Sequence, residues 1–152
     1  MGIKKAGAKM KEELDKKLCE KYPKIFKNRN GSMQETCMCW GFSHGDGWYD
    51  IIDSLCASIQ NHINNKRYQF REMSQEDFDE EHQVVAAQVK EKFGGLRFYV
   101  DGGDDWVYGA ISMAESISYR TCEVCGAPGK TRGTGWVRTT CDEHTKPAAS
   151  TD

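Results

Sequence analysis

Two short runs near the C-terminus, CEVC and CDEH, set the strongest constraint on this chain. They give Cys122-x2-Cys125-x15-Cys141-x2-His144. Structural zinc takes four Cys or His ligands at about 2.0 to 2.3 Å, commonly from two tight turns. Each two-residue gap lets a pair of side chains converge on one ion. Gly126 follows the first pair, where such a knuckle often needs φ > 0. The intervening GKTRGTGWVRTT is long enough to form a small hairpin that returns the second pair. Four protein ligands leave no place for water, so the expectation is one structural zinc per chain, held by Cys122, Cys125, Cys141 and His144. The bland reading is four unrelated thiol or surface positions.

The rest of the chain must supply a core for that knuckle. At 152 residues, 38% hydrophobic and 29% charged, it reads as one soluble globular domain. Net charge is −2, far from the basic excess of a protein that coats nucleic acid. No run approaches the ~18 apolar residues of a membrane span. The opening MGIKKAGAKMKEELDKK has charge without an apolar segment, unlike a secretory signal. Seven cysteines without an export signal favour thiols and metal ligands over disulfides and point to the cytoplasm.

Leu14, Leu18 and Tyr22 make one apolar stripe on a charged helix over 6–22, stopped by Pro23. Trp48, Ile51, Ile52, Leu55, Cys56, Ile59 and Ile63 predict a second helix over 47–64, with Asp46 as its cap. Residues 66–82 are acidic, and SQED at Ser74 resembles a capping box, so a short helix or an exposed insertion is expected. Two arms, 84–93 and 96–100, flank Gly94-Gly95 and predict a β-hairpin. Leu96, Phe98 and Val100 share one face of it. Asp104 or Asp105 caps a third helix with Val107, Ala110, Ile111, Ala114 and Ile117 inward. The expected architecture is α+β: an antiparallel hairpin or small sheet covered by two or three helices, with a zinc-ribbon-like knuckle at about 120–145. Residues 146–152 (KPAASTD) form a tail with no reason to fold.

TCMCWGFSHGDGWYD, residues 36–50, is the second concentration of reactive side chains. Cys37, Cys39 and His44, with Asp46 or Cys56, have the types to hold a second metal, although Cys-x-Cys is a poorer bite than Cys-x2-Cys. An enzyme reading centres on Cys37, Cys39, His44 and Asp46, a thiol beside a base and its orienting acid. The remaining reading is a glycine-bounded corner, GDGW, feeding a helix, with Trp40 and Phe42 as core or wall. Within the zinc module Lys130, Arg132 and Arg138 accompany Trp136. Cations beside an aromatic ring can hold phosphate and stack a base. They can equally be the solvated face of a ribbon, with Trp136 covering the zinc. KEKFGGLRF lacks a phosphate-loop pattern, and its glycines fit a turn, which leaves Lys90, Lys92 and Arg97 as a basic strip. DGGDD lacks the EF-hand register.

TCMCWGF…GDGWYDIIDSLC, VKEKFGGLRFYVDG and RTCEVCGAPG…GWVR…CDEH together resemble a family of small uncharacterised proteins encoded by bacteriophages and prophage-carrying bacteria. The resemblance spans residues 22–144. Relatives often read Glu-Cys where this chain has Ser43-His44, which swaps one metal-ligating type for another. It brings no catalytic residue. It implies a non-enzymatic accessory protein in the host cytoplasm that binds a host component in counter-defence, either a defence protein or a nucleotide signal. The expected contact residues are Trp40, His44, Trp48, Arg97, Lys130, Arg132, Trp136 and Arg138. A regulatory zinc protein that binds nucleic acid is the alternative, and self-association is open.

Overall fold

The hairpin is the spine of the protein. In a computed structural model that describes residues 8–145, β2 (Val85–Lys92) and β3 (Gly95–Asp101) pair antiparallel, with Val89 opposite Phe98. A bulge between Ala86 and Gln88 adjusts the register. Leu96 and Phe98 are buried and Val100 half-buried, as the alternation predicts. The turn sits one residue earlier than Gly94-Gly95. Its central residues are Phe93 and Gly94, with φ of 54° and 85°, and Lys92 pairs with Gly95. The cause is tertiary: a Cβ on Gly95 would overlap the ring of Tyr119, so this glycine belongs to the strand.

A two-residue strand, β1 (Phe42–Ser43), joins the far edge of β2 in parallel, and the sheet order is β1-β2-β3. The fold is α+β as expected, but this edge makes the sheet mixed. Two residues carry too little periodicity to be read as a strand.

Four α-helices surround the sheet: α1 (Glu12–Lys21), α2 (Tyr49–Arg67), α3 (Gln75–His82) and α4 (Asp105–Ser118). The first begins later than the predicted residue 6, and residues 6 and 7 lie outside the described chain, as does the expected tail 146–152. Buried Asp15 on α1 takes a bidentate ion pair from Arg29 (Nη2–Oδ2 2.8 Å), whose Nη1 also donates to the Cys39 carbonyl at 3.0 Å. That guanidinium ties α1 to the loop ahead of β1. The acidic segment forms α3, with Ser74 Oγ accepting from Asp77 N. On α4 the cap is Asp104, whose Oδ1 accepts from Val107 N at 3.0 Å.

Asp46 does not cap α2. Its Oδ1 accepts from Lys11 N at 2.8 Å, at the start of α1, while a 3₁₀ turn over Asp46–Trp48 leads into α2 without a side-chain cap. The expected cap is absent, and the carboxylate instead ties the GDGW corner to the residue that precedes α1, 35 positions away in sequence. Ile52, Leu55, Cys56, Ile59 and Ile63 of α2 enter a core shared with Phe42, Trp48, Val89, Leu96 and Phe98. Among the described residues no helix is long and apolar enough to cross a membrane.

Candidate metal centre

Beyond α4 the chain builds two turns that face each other. Cys122 N–H donates to the Ala127 carbonyl at 2.8 Å, and Gly126 N–H closes back on the Cys122 carbonyl at 2.9 Å. Gly126 has φ 82°, the left-handed value expected of it. The intervening segment forms the predicted small hairpin, β4 (Lys130–Arg132) against β5 (Arg138–Thr140). A 3₁₀ turn over Asp142–His144 then returns His144 N–H to the Cys141 carbonyl at 3.2 Å.

These turns bring Cys122 Sγ, Cys125 Sγ, Cys141 Sγ and His144 Nδ1 within 4.8 Å of one another. Cys125 and Cys141 sulfurs are 3.7 Å apart, and His144 Nδ1 lies 3.7 Å from Cys122 Sγ and 3.2 Å from Cys141 Sγ. A disulfide would put the sulfurs at about 2.05 Å. Metal–sulfur bonds of ~2.3 Å at tetrahedral angles put them near 3.8 Å. The four side chains are close enough together to hold one metal ion. Burial opposes ionisation of Cys122, yet backbone N–H groups of Cys141, Cys125 and Val124 outweigh it and bring the thiol down to about 6. The thiolate is the form that ligates.

The GDGW corner is where this knuckle docks. Gly47 N–H donates to the Glu123 carbonyl at 2.7 Å, Gly45 N–H to Glu123 Oε2 at 2.8 Å, and Trp48 Nε1 to the Thr121 carbonyl at 2.9 Å. A Cβ on Gly47 would overlap the Cys122 carbonyl oxygen and sit 2.6 Å from Gly126 N. Both glycines are required by backbone-to-backbone contact. On the other side Thr139 Oγ1 donates to the Gly94 carbonyl at 2.6 Å, joining β5 to the turn between β2 and β3. Glu123 is almost fully buried, and burial raises its pKa against the pull of Gly45 N–H and Arg138.

Several predicted site residues are placed elsewhere. His44 and Trp48 are wholly buried, so they present no contact surface. The His44 Nδ1 lies 2.8 Å from the Gly45 carbonyl, its Nε2 has no partner, and burial lowers its pKa to about 4. Cys37 is exposed and Cys39 half-buried on a 3₁₀ turn, while Cys56 is buried in α2 and its thiol raised by burial. Among the described residues the Cys122–His144 group is the one set of His, Cys, Asp and Glu gathered closely enough for a metal. Cys37, Cys39 and His44 therefore do not form a second metal site. Nor do they form the proposed nucleophile–base set with Asp46, whose carboxylate is spent on Lys11.

The cations are largely committed too. Arg132 bonds Asp142 at 2.6 Å and the Thr140 carbonyl, Arg138 lies 4.0 Å from Glu123, and Arg97 donates to Tyr119 Oη at 2.9 Å. Lys130 stays exposed. Trp136 is 73% exposed and so does not cover the centre. Trp40 is exposed, whereas Phe42 is core.

Two further positions escaped the sequence reading. Glu123, between the first two cysteines, anchors the knuckle; its signal was an acid flanked by apolar and ligand positions. Phe93 is a non-glycine residue at φ 54° that is nonetheless 70% exposed. Its neighbour Gly94 abuts Thr131 and Val137, so the β2–β3 turn rests on the ribbon of the knuckle, where Trp136 is also exposed. Lys92 lies over the Phe93 ring at 5.5 Å. Comparison with known protein families, curated proteins and solved structures found no match to this chain.

Proposed function

We propose that this is a zinc-stabilised, non-enzymatic accessory protein of phage or prophage type that binds a host component in counter-defence. In this reading the ion is Zn²⁺. Three thiolates and one imidazole suit it, and a full shell assigns it to holding the knuckle on the GDGW corner. The partner surface is the junction of the hairpin turn and the knuckle: Phe93, Trp136, Lys92 and Lys130.

One observation carries this choice of surface. A bulky side chain at positive φ is strained, and Phe93 recovers little of that cost through burial, since its ring faces solvent. Strain with exposure marks a residue kept for contact. The reading retains Trp136 and Lys130 from the expected contact set and drops His44 and Trp48.

The test compares wild-type protein with Phe93→Asn plus Trp136→Ala in a host carrying the targeted defence. The wild type raises phage plating. The double variant fails to do so while keeping one zinc per chain by elemental analysis. Equal plating with both proteins would refute the surface. The regulatory nucleic-acid alternative is favoured by Lys92 over Phe93 beside Lys130. It requires oligonucleotide binding that weakens steeply with salt and with Lys92→Ala and Lys130→Ala.

A further inference from the structure

Helices α2 and α4 leave between them a groove of about 730 Å³ on the side away from the core. His62 of α2 stacks on Trp106 of α4 at 4.3 Å, while Asp50 lines the same groove with Ile117. The two helices therefore run antiparallel, and the groove follows them for about three turns.

Its chemistry is unusual for a solvent-facing groove. Trp106, Ala110, Met113 and Ile117 recur along α4 at spacings of four, three and four, the interval of a helix–helix seam. Ile51, Leu55 and Ser58 repeat the interval on α2. Ala110 and Ser54 keep the floor low, and around Gly109 nothing lies within 4 Å of a Cβ position. Another helix can approach closely there. Trp106 is already fixed by its stack on His62, so ordering it on association costs little entropy.

We propose that this face is the two-fold interface of a homodimer, with α2 and α4 of two copies forming a four-helix bundle. Charge decides in favour of a second copy. A groove for a basic or acidic foreign helix carries countercharge on its rim. Here the lining residues include no Lys or Arg and a single acid, Asp50, at one end. The acids of α4 are Asp105, at its first residue, and Glu115, which turns inward to accept from Phe98 N at 2.9 Å. The face is apolar and carries ridge and groove together, the self-complementarity an isologous contact needs.

Area agrees. Trp106, Met113 and Ile117 are 48%, 67% and 42% exposed, roughly 300 Å² of mostly apolar surface from three side chains. A two-fold axis counts the patch twice. With the groove floor and polar rim the total reaches about 1,000 Å², the lower bound for a specific interface.

The test is sedimentation of the full, zinc-loaded chain across micromolar concentrations, for wild type and for Met113→Lys. Met113 is mostly exposed in the protomer, so the lysine leaves the fold intact, which circular dichroism and zinc content check. The expected result is a species of twice the chain mass that Met113→Lys dissociates, weakening association at least about tenfold. Ile117→Lys, on the same seam, has the same effect. A wild type that stays monomeric throughout would overturn the proposal. So would a dimer unaffected by both lysines, since its interface would lie elsewhere. A monomer that instead takes a foreign amphipathic helix or an apolar dye in this groove would also overturn it.

Discussion

Gly47 shows how little space separates the metal knuckle from the core. Its Cα position faces the Cys122 carbonyl with no room for a methyl group, so Gly47→Ala must push the knuckle off the GDGW corner. The hydrogen bonds from Gly47 N and Trp48 Nε1 would go with it. The expected loss is about 2 to 4 kcal/mol in chemical denaturation, with faster release of a bound metal ion to a chelator. His44 makes a separate prediction. Burial holds its pKa near 4, below the unfolded value of about 6.5, so the folded state favours the neutral ring. That stability is fully present above pH ~6.5 and is lost as pH falls toward ~4, a difference on the order of 3 kcal/mol. Protonation of the metal ligands also destabilises at acid pH, so the measurement is the contrast between wild type and His44→Phe. The variant should show the shallower decline from pH 7 to pH 4.5, and parallel declines would refute the assignment.

Individual elements are held by contacts that their own sequences only half disclose. The cap of α4 is legible, since an Asp before an apolar stripe is a strong signal, but two candidates stood side by side. Asp104 takes the role because its other oxygen receives His62 Nε2 at 2.7 Å and Lys66 Nζ at 2.9 Å from α2. Asp104→Ala should cost about 1 to 2 kcal/mol, whereas Asp105→Ala should stay within about 0.5 kcal/mol. Equal effects in thermal or urea unfolding would place the cap wrongly. In the β2–β3 turn, Phe93→Asn relieves the left-handed strain and should stabilise by about 0.5 to 1 kcal/mol. A gain in stability with a loss of partner binding is the combination that a contact residue produces. Stability lost together with binding would argue that Phe93 serves the fold.

Across the whole molecule, the metal centre is continuous with the core. Its first turn rests on the GDGW corner through Glu123, and its ribbon reaches the β2–β3 turn through Thr139. Removing a metal ion held by these four residues should therefore do more than fray the last quarter of the chain. We expect chelation, or Cys122→Ser with Cys141→Ser, to lower the melting temperature of the entire protein by 10 °C or more, on the order of several kcal/mol. Tryptophan emission should report it, since Trp48 donates into the knuckle at Thr121. A melting temperature unchanged by metal removal would mean that the four ligands do not hold the structure together.

The candidate metal ligands, the hairpin, three of the helices and most of the buried stripes were legible from local pattern, although Ile117, expected inward on α4, is 42% exposed. Ligand spacing, alternation and helical periodicity are short-range properties that a chain carries wherever it folds. Contacts between distant segments decided the rest. Tyr119 moved the turn from Gly94-Gly95 to Phe93-Gly94, Lys11 claimed Asp46, and Phe42–Ser43 became a strand because β2 offered it an edge. The GDGW corner has reactive side chains and free glycines in sequence, which made it look like a site. Only the folded chain reveals that its glycines are filled by another backbone and that His44 and Trp48 face inward. Residue types state what chemistry a segment can perform. Which of those groups meets another, and which meets solvent, is set by packing across long sequence separations, which local spacing does not encode.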